Sequence, residues 1–303
     1  MNVAVHIALL LTMPPLLLGV INKTKAFFAG RVGPPILQPY RDLARLLRKS
    51  MVLSTTTTWI FRVAPVVTLA TTITAGLLVP LGPSDAPIPF AGDAILFAYL
   101  FGLARFFTTA AALDTGSSFE GMGAAREVTF ACFSEPALFF ALLVLAKLSN
   151  SDVLSLTPML HGPPHGWENT AAAPLVLVAV GLFVVLLAEN CRIPVDDPNT
   201  HLELTMIHEV MVLDHSGPLF GTILYGASVK LFVLGSLILH VIVPWHAGKP
   251  FVDWGLFVAE MLGLSVAVGA VESTMARLQM RHVPTLLIGA VFFCGFGFFL
   301  VAR

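Results

Sequence analysis

The densest chemistry in this chain lies between Glu189 and Asp214. It opens with Glu189-Asn190-Cys191-Arg192-Ile193-Pro194-Val195-Asp196-Asp197-Pro198-Asn199-Thr200-His201-Leu202-Glu203. It continues in Ile207-His208-Glu209-Val210-Met211-Val212-Leu213-Asp214-His215-Ser216-Gly217-Pro218. Carboxylates and imidazoles are the side chains that take up and release protons. Here they crowd the mouth of a long apolar segment in a chain with only 12% charged residues. Acids at a membrane boundary are costly unless paired, hydrated or used, so this run marks a functional region.

A second set of charges sits deeper. With a helical rise of about 1.5 Å per residue, Arg105, Glu135, Lys230 and Glu260 fall at hydrocarbon depth on four different segments. Two are acids and two are bases, so mutual pairing would offset much of the insertion cost. Two readings stay open: interhelical salt bridges, or a proton path in which burial moves pKa values toward the working pH. In the second reading Glu127, Glu189, Glu203, Glu209, Asp214 and Glu272 extend the path to the polar mouth. Glu135 precedes Pro136, which interrupts the helical ladder and frees a carbonyl nearby.

Other chemistries find little support. Cys132, Cys191 and Cys294 are far apart, with no spacing for an iron–sulfur cluster or structural zinc. His201 and His208 are seven residues apart and no His-Glu-x-x-His is present, so no metal site is expected. No glycine-rich phosphate cradle appears. The chain is expected to carry no cofactor, which leaves any redox chemistry to another subunit, and nothing suggests nucleic acid.

The elements that must position these groups are membrane helices. The 303 residues are 56% hydrophobic, and the charged fraction is half the roughly 25% of soluble domains. Segments of about 20 apolar residues span a bilayer; eight are predicted, near 2–22, 60–81, 90–113, 127–149, 171–190, 217–243, 252–275 and 283–302. The fold class is all-α: a single polytopic membrane domain over 1–303. The apolar N-terminus reads as a retained helix because it lacks a basic start and a cleavage site. Polar loops are predicted at 23–59, 114–126, 191–216 and 276–282. Lys23, Lys25, Arg31, Arg41, Arg45, Arg48, Lys49, Arg62, Arg126, Arg192, Arg277 and Arg281 fall on one side, against Lys147, Lys249 and Arg303 on the other. The positive-inside rule then puts the loops in the cytoplasm and both termini outside, in an inner membrane.

Within the first loop, Gly30-Arg31-Val32-Gly33-Pro34-Pro35 is a turn, and Gln38 to Ser50 an amphipathic helix. Leu43, Leu46 and Leu47 form its apolar stripe, opposite Arg41, Arg45, Arg48 and Lys49. It either lies among lipid headgroups or offers a basic ledge to an acidic soluble partner. The run Asp114-Thr115-Gly116-Ser117-Ser118-Phe119-Glu120-Gly121-Met122-Gly123-Ala124-Ala125-Arg126-Glu127 reads as a loop packed tightly against a partner or a neighbouring loop. From His201 the chain reads helical, with His201, Thr205 and His208 on one face and Leu202, Met206, Glu209 and Leu213 on another. Glu272 to His282 reads as a short turn anchoring topology.

The stretch from Glu189 to Pro198, continuing through Thr200-His201-Leu202-Glu203-Leu204-Thr205-Met206 to His208-Glu209 and Ser216-Gly217, resembles the signature of a known family. This is the membrane subunit shared by respiratory complex I and energy-converting nickel–iron hydrogenases. Arg31-Val32-Gly33-Pro34 and Gln38-Pro39-Tyr40-Arg41-Asp42-Leu43 are similar to its first loop, and the eight-helix layout agrees. The wording after the proline, Val195-Asp196-Asp197-Pro198-Asn199-Thr200-His201, is similar to the hydrogenase branch; the complex I branch typically has Phe-Asp-x-Pro-Glu-Ala-Glu.

The resemblance implies a non-catalytic connector. It would dock a peripheral redox arm and relay energy to antiporter-like membrane subunits. It implies a junction with a hydrogenase-like large subunit and an iron–sulfur subunit at Arg31, Arg41, Arg45, Arg48, Lys49, Arg192, Asp196, Asp197 and His201. Iron–sulfur clusters, and nickel–iron where it is kept, would reside on those partners. It also implies an acidic path through Glu127, Glu135, Glu189, Glu203 and Glu209. A quinone-site-forming complex I subunit and a cation/proton antiporter are the alternatives.

Overall fold

The computed structural model describes residues 2–149, 153–161, 172–197, 206–243 and 248–302. Among them the chain forms eleven α-helices and no strand. Seven are long and apolar enough to cross a membrane: α4 (Trp59–Leu78), α5 (Asp93–Asp114), α6 (Ser118–Leu148), α8 (Ala172–Glu189), α9 (Gly217–Ile242), α10 (Pro250–Thr274) and α11 (Val283–Ala302). The eighth predicted span is broken into α1 (Asn2–Thr12) and α2 (Pro14–Phe28), which meet at 48°. Short helices α3 (Gln38–Leu47) and α7 (Leu156–His161) lie between spans.

The break in the first span follows from Pro14-Pro15. Proline has no N–H to give, so the carbonyl of Leu11 loses its helical donor at Pro15. Tyr225 of α9 supplies a hydroxyl instead, 2.7 Å from Leu11 O, and the Tyr40 hydroxyl of α3 donates to Thr12 O. The sequence carried the signal; its apolar continuity masked it.

The core is built around α9, the most enclosed of the spans, where Phe232, Val233, Leu237 and Ile238 are buried. It packs against α2, α3, α4, α8 and α10, while α11 closes the far side against α6 and α8. The stripe of α3 rests partly on protein: a side chain at Gly221 of α9 would meet Leu46 Cβ at 3.2 Å and Leu47 next to it. The turn before α3 is held by two contacts. Lys23 Nζ donates to Val32 O at 2.7 Å. Gly33 has φ +66, and a Cβ there would lie 2.3 Å from Ala26 Cβ.

One end of the bundle is knit from the polar loops. Thr58 N donates to Asp114 Oδ2 at 2.7 Å, Ser216 Oγ accepts from Val52 N at 3.0 Å, and Leu278 N donates to Pro194 O at 2.9 Å. At the other end Asp93 is fully buried and accepts from Ser155 Oγ (2.8 Å) and Leu156 N (2.6 Å).

Two predicted elements differ. The loop expected at 114–126 is mostly the first turns of α6, which starts at Ser118 just after a left-handed Gly116 (φ +71). The helix expected from His201 is not α-helical over 206–214; only a 3-10 turn, Glu209–Val212, forms there. The reason is a side-chain acceptor: Asp196 Oδ2 takes the amides of Ile207 (3.0 Å) and His208 (3.3 Å), which fixes the backbone outside the helical ladder.

Gly19 of α2 tests the seating of the first loop, because a Cβ there would lie 1.9 Å from the Ile36 carbonyl oxygen. Gly19→Ala is expected to destabilise by about 1–3 kcal/mol, the usual range of overpacking. Gly289→Ala, with open space at its Cβ, should change little. The thermal midpoints of both variants in detergent provide the check.

Candidate functional site

The buried charges of α5, α6, α8 and α9 converge on Arg105. A guanidinium presents its N–H groups in a rigid planar fork, and here three of its nitrogens reach three different acids. Nε donates to Glu127 Oε1 at 3.0 Å, Nη1 to Glu135 Oε1, and Nη2 to Glu189 Oε1 at 2.5 Å. Ser134 Oγ also donates to Glu189 Oε1, at 2.7 Å. Lys230 Nζ lies 2.6 Å from Glu189 Oε2 and 5.9 Å from the centre of the Phe101 ring. His208 Nε2, from the polar loop, lies 3.1 Å from Glu127 Oε2.

The site therefore holds three groups of positive sign when His208 is charged, and three carboxylates. Placing one charge at mid-membrane costs about 2.5–3.5 kcal/mol on insertion scales, and stripping one partner from a buried pair costs about 3–5 kcal/mol. Balance is the condition for burial. The burial is uneven: side chains of Arg105, Glu127 and Glu189 are 8–9% exposed, whereas Glu135 is 45% exposed. Two small cavities of about 10 Å³ adjoin Glu189. One is lined by Arg105, Ser134 and Glu135, the other by Glu127, Ser134 and His208. Each is close to the volume that accepts one water.

His208 is the member contributed by the polar loop. Burial opposes its charge, but the Cys191 side chain and the Glu127 carboxylate beside it more than offset this and raise its pKa well above 6.5. Burial pushes the Cys191 thiol up. Burial lowers the pKa of His215, which stacks on Phe61 at 3.9 Å.

Two further clusters support this centre. Glu272 of α10, with no side-chain exposure, pairs with Lys25 of α2 (2.7 Å) and Arg192 (3.2 Å). Asp196, 1% exposed, pairs with Arg277 at 2.9 Å and holds the loop amides named above. Between these clusters and α3 lies a cavity of about 370 Å³, walled by Leu18, Leu43 and Leu224 and edged by Asn190, Arg192 and Glu209. Asn190 Oδ1 and Arg192 Nε are buried there without a hydrogen-bond partner among the described residues.

The structure thus brings together Arg105, Glu127, Glu135, Glu189 and Lys230. It does not bring Glu260, which sits on α10 beside Asp253 and His240 in another cavity and has no ion pair among the described residues. Depth along a helix says nothing of azimuth, and α10 packs on α2 and α9, away from α5 and α6. Glu272 likewise belongs to its own cluster. Glu209 lines the large cavity, and Asp214 is exposed. Arg31, Arg41, Arg45, Arg48 and Lys49 are exposed on one end; Arg192 and Asp196 are buried within the chain, with Asp197 half-buried. Glu203 and His201 lie outside the described residues. Sequence reasoning missed Lys25, Ser134 and the coupling of His208 to Glu127 and Cys191. His208 was visible in the motif; its partner on α6 was not.

Fold and site together define an integral membrane protein with seven long apolar helices, a bent apolar pair at α1–α2 and a balanced buried charge network. The family model described as NADH dehydrogenase matches residues 1–302, and the chain belongs to that family. It is 31% identical to formate hydrogenlyase subunit 4 of Escherichia coli (strain K12), over 97% of this chain and 94% of that protein. It is 30% identical to hydrogenase-4 component C of the same organism, over 92% and 89%. A protein of Syntrophotalea carbinolica (strain DSM 2380 / NBRC 103641 / GraBd1), named as part of an NADH-quinone oxidoreductase, is 26% identical over 80% and 74%. The fold matches a chain in the structure of the membrane-bound sulfane sulfur reductase, an archaeal respiratory membrane complex, with TM-score 0.82 at 20% identity, covering 99% and 98%.

Two outcomes check this site. Asp196→Ala removes the side-chain acceptor of the Asp197, Ile207 and His208 amides and one ion-pair partner of Arg277; a loss of about 3–5 kcal/mol and faster hydrogen exchange at Ile207 and His208 are expected. Since the folded pKa of His208 is raised, the His208–Glu127 pair stabilises fully below about pH 6.5 and is lost as pH rises through the raised value. Protease cutting within 206–215 should therefore increase with pH above neutrality in the wild type, and stay flat in His208→Gln.

Proposed function

We propose that this chain is the membrane connector of an energy-converting, hydrogenase-type complex. It anchors a peripheral redox arm at its basic, loop-bearing end and passes protons toward ion-translocating membrane subunits. The observation that carries the reading is the Arg105 cluster. Six ionisable groups of alternating sign share one site with water-sized cavities on both sides of Glu189. A purely structural clamp needs balance alone; a relay also needs room for water and a route outward, and both cavities and the half-exposed Glu135 fit that need. The names of the relatives, formate hydrogenlyase subunit 4 and hydrogenase-4 component C, support the setting.

In this reading the partners are a hydrogenase-like large subunit, an iron–sulfur subunit and antiporter-like membrane subunits. Iron–sulfur clusters and a nickel–iron centre would belong to the partners. The exposed arginines Arg31, Arg41, Arg45 and Arg48, with Lys49, form the docking ledge, facing the cytoplasm with both termini outside. Asp197 and His201 belong to the same docking set, while Arg192 and Asp196 act from within, Arg192 by its pair with Glu272 and Asp196 by holding the amides of Ile207 and His208. The proton path runs through His208, Glu127, Glu189 and Glu135, with Glu209 and Asp214 on the loop side and Glu203 assigned to it from the sequence alone.

A second reading is favoured by the large cavity. Its apolar walls would suit a quinone-like ring and Arg192 Nε, unpaired among the described residues, could donate to a ring oxygen, in keeping with a relative named for NADH-quinone oxidoreductase. Photolabelling of Leu43 or Leu224 by a quinone analogue, competed by quinone-site inhibitors, would favour it.

The principal test is Glu189→Gln and Glu135→Gln in the assembled complex in vesicles. Loss of proton translocation with intact assembly and retained electron transfer is expected. Wild-type translocation in both variants would remove the proposal.

A further inference from the structure

Arg105 joins three carboxylates in space but cannot pass a proton between them. A guanidinium keeps its protons and has no acceptor atom. It stands among Glu127, Glu135 and Glu189 and gives one nitrogen to each. A proton that moves from Glu127 to Glu189 must therefore go around the arginine. Lys230, on the other oxygen of Glu189, is likewise a donor with no acceptor while charged. The route needs a neutral group that gives and takes a hydrogen bond at the same time.

Ser134 is such a group, since a hydroxyl carries one donor and two acceptor lone pairs. It is 3% exposed on α6, and its Oγ donates to Glu189 Oε1 at 2.7 Å. Ser134 and Glu189 line both small cavities, the one with Arg105 and Glu135 and the other with Glu127 and His208. Among the residues lining the two, Ser134 is the only one with a hydroxyl. Its direction also sets it apart. A serine inside a helix commonly turns its hydroxyl back to a carbonyl of its own helix, and Ser228, Ser236, Ser265 and Ser273 do so. Ser134 gives its hydrogen to a carboxylate of α8 instead. Alanine would fit the helix better and bury no polar atom, so the packing of α6 does not call for this hydroxyl.

We infer that Ser134 is the hydroxyl that carries a proton past Arg105, from the cavity beside Glu127 and His208 to Glu189. The protonated Glu127 gives its proton to a water in that cavity. The water passes one of its own to a lone pair of Ser134 Oγ, and the serine proton moves to Glu189 Oε1. Three O–H bonds break and three form, one proton is transferred, and both water and serine end neutral. Rotation about the Cβ–Oγ bond then resets the hydroxyl, and Glu189 faces the second cavity, shared with Glu135. The inference rests on the proton-handling reading above and supplies the link between its two buried carboxylates.

The experiment compares Ser134→Ala and Ser134→Thr in the assembled complex in vesicles. Both keep the charge balance around Arg105. Proton translocation is expected to slow about 10- to 100-fold in Ser134→Ala and to recover in Ser134→Thr, which restores the hydroxyl. The slowed step should also show a larger deuterium effect in heavy water than the wild type, because proton transfer then sets the pace. Wild-type translocation in Ser134→Ala would overturn the inference. So would a slow Ser134→Ala with an unchanged deuterium effect, which would make the hydroxyl a mere support for Glu189. Should Ser134→Ala fail to assemble, Ser134→Cys replaces the hydroxyl by a weaker donor and acceptor; it should slow translocation in the same sense, and a wild-type rate there would equally overturn the inference. Glu189→Gln separates the two readings. If it translocates normally, the proton reading falls and the serine with it; if it is silent while Ser134→Ala runs at full rate, only the serine falls.

Discussion

One buried guanidinium sets the terms for the rest of this molecule. Arg105 is buried on a helix with no other basic residue. Its planar fork must find acceptors in three directions at once. Glu127 and Glu135, two turns apart on α6, and Glu189 at the end of α8 provide them. That demand fixes how α5, α6 and α8 rotate about their own axes. Lys230 then follows on α9, because Glu189 needs a second partner for its other oxygen. Hydrophobic packing brings the helices together, but it is tolerant of rotation; the charge network is not.

The polar end of the bundle is coupled to that centre through short links. Glu127 faces both Arg105 and His208, and His208 belongs to a segment whose amides Asp196 holds. Asp196 is tied in turn to Arg277 after α10, and Arg192 to Glu272 and through it to Lys25. A displacement of the loop end by a docked partner would be felt within two contacts of the buried arginine. Such a sequence of pairs is a physical basis for coupling, since each carries a cost if it is broken alone.

The sequence disclosed much of this, and the losses have identifiable causes. Seven of the eight predicted spans form as long apolar helices, and the remaining one as a bent pair, because hydrocarbon imposes length and apolarity on each segment separately. The membership of Arg105, Glu135 and Lys230 in one site was readable from charge balance. Glu260 was drawn in by the same argument and does not belong, because depth is a one-dimensional coordinate and burial depends on azimuth. The helical periodicity after His201 gave way over 206–214 to a distant carboxylate, which no local pattern reports. Pro14-Pro15 announced the break in the first span, yet hydropathy alone ran through it. Arg192 and Asp196 read as surface docking groups, and their burial reflects partners on α10 and beyond, remote in sequence.

The central claim is that the carboxylates around Arg105 change protonation during turnover and do not merely clamp the helices. Infrared difference spectroscopy of the assembled complex, triggered into turnover, measures this directly. The account expects a carboxyl C=O band that appears or shifts on turnover and is lost in Glu189→Gln or Glu135→Gln. A difference spectrum without any such band, in a preparation that still translocates protons, would contradict it.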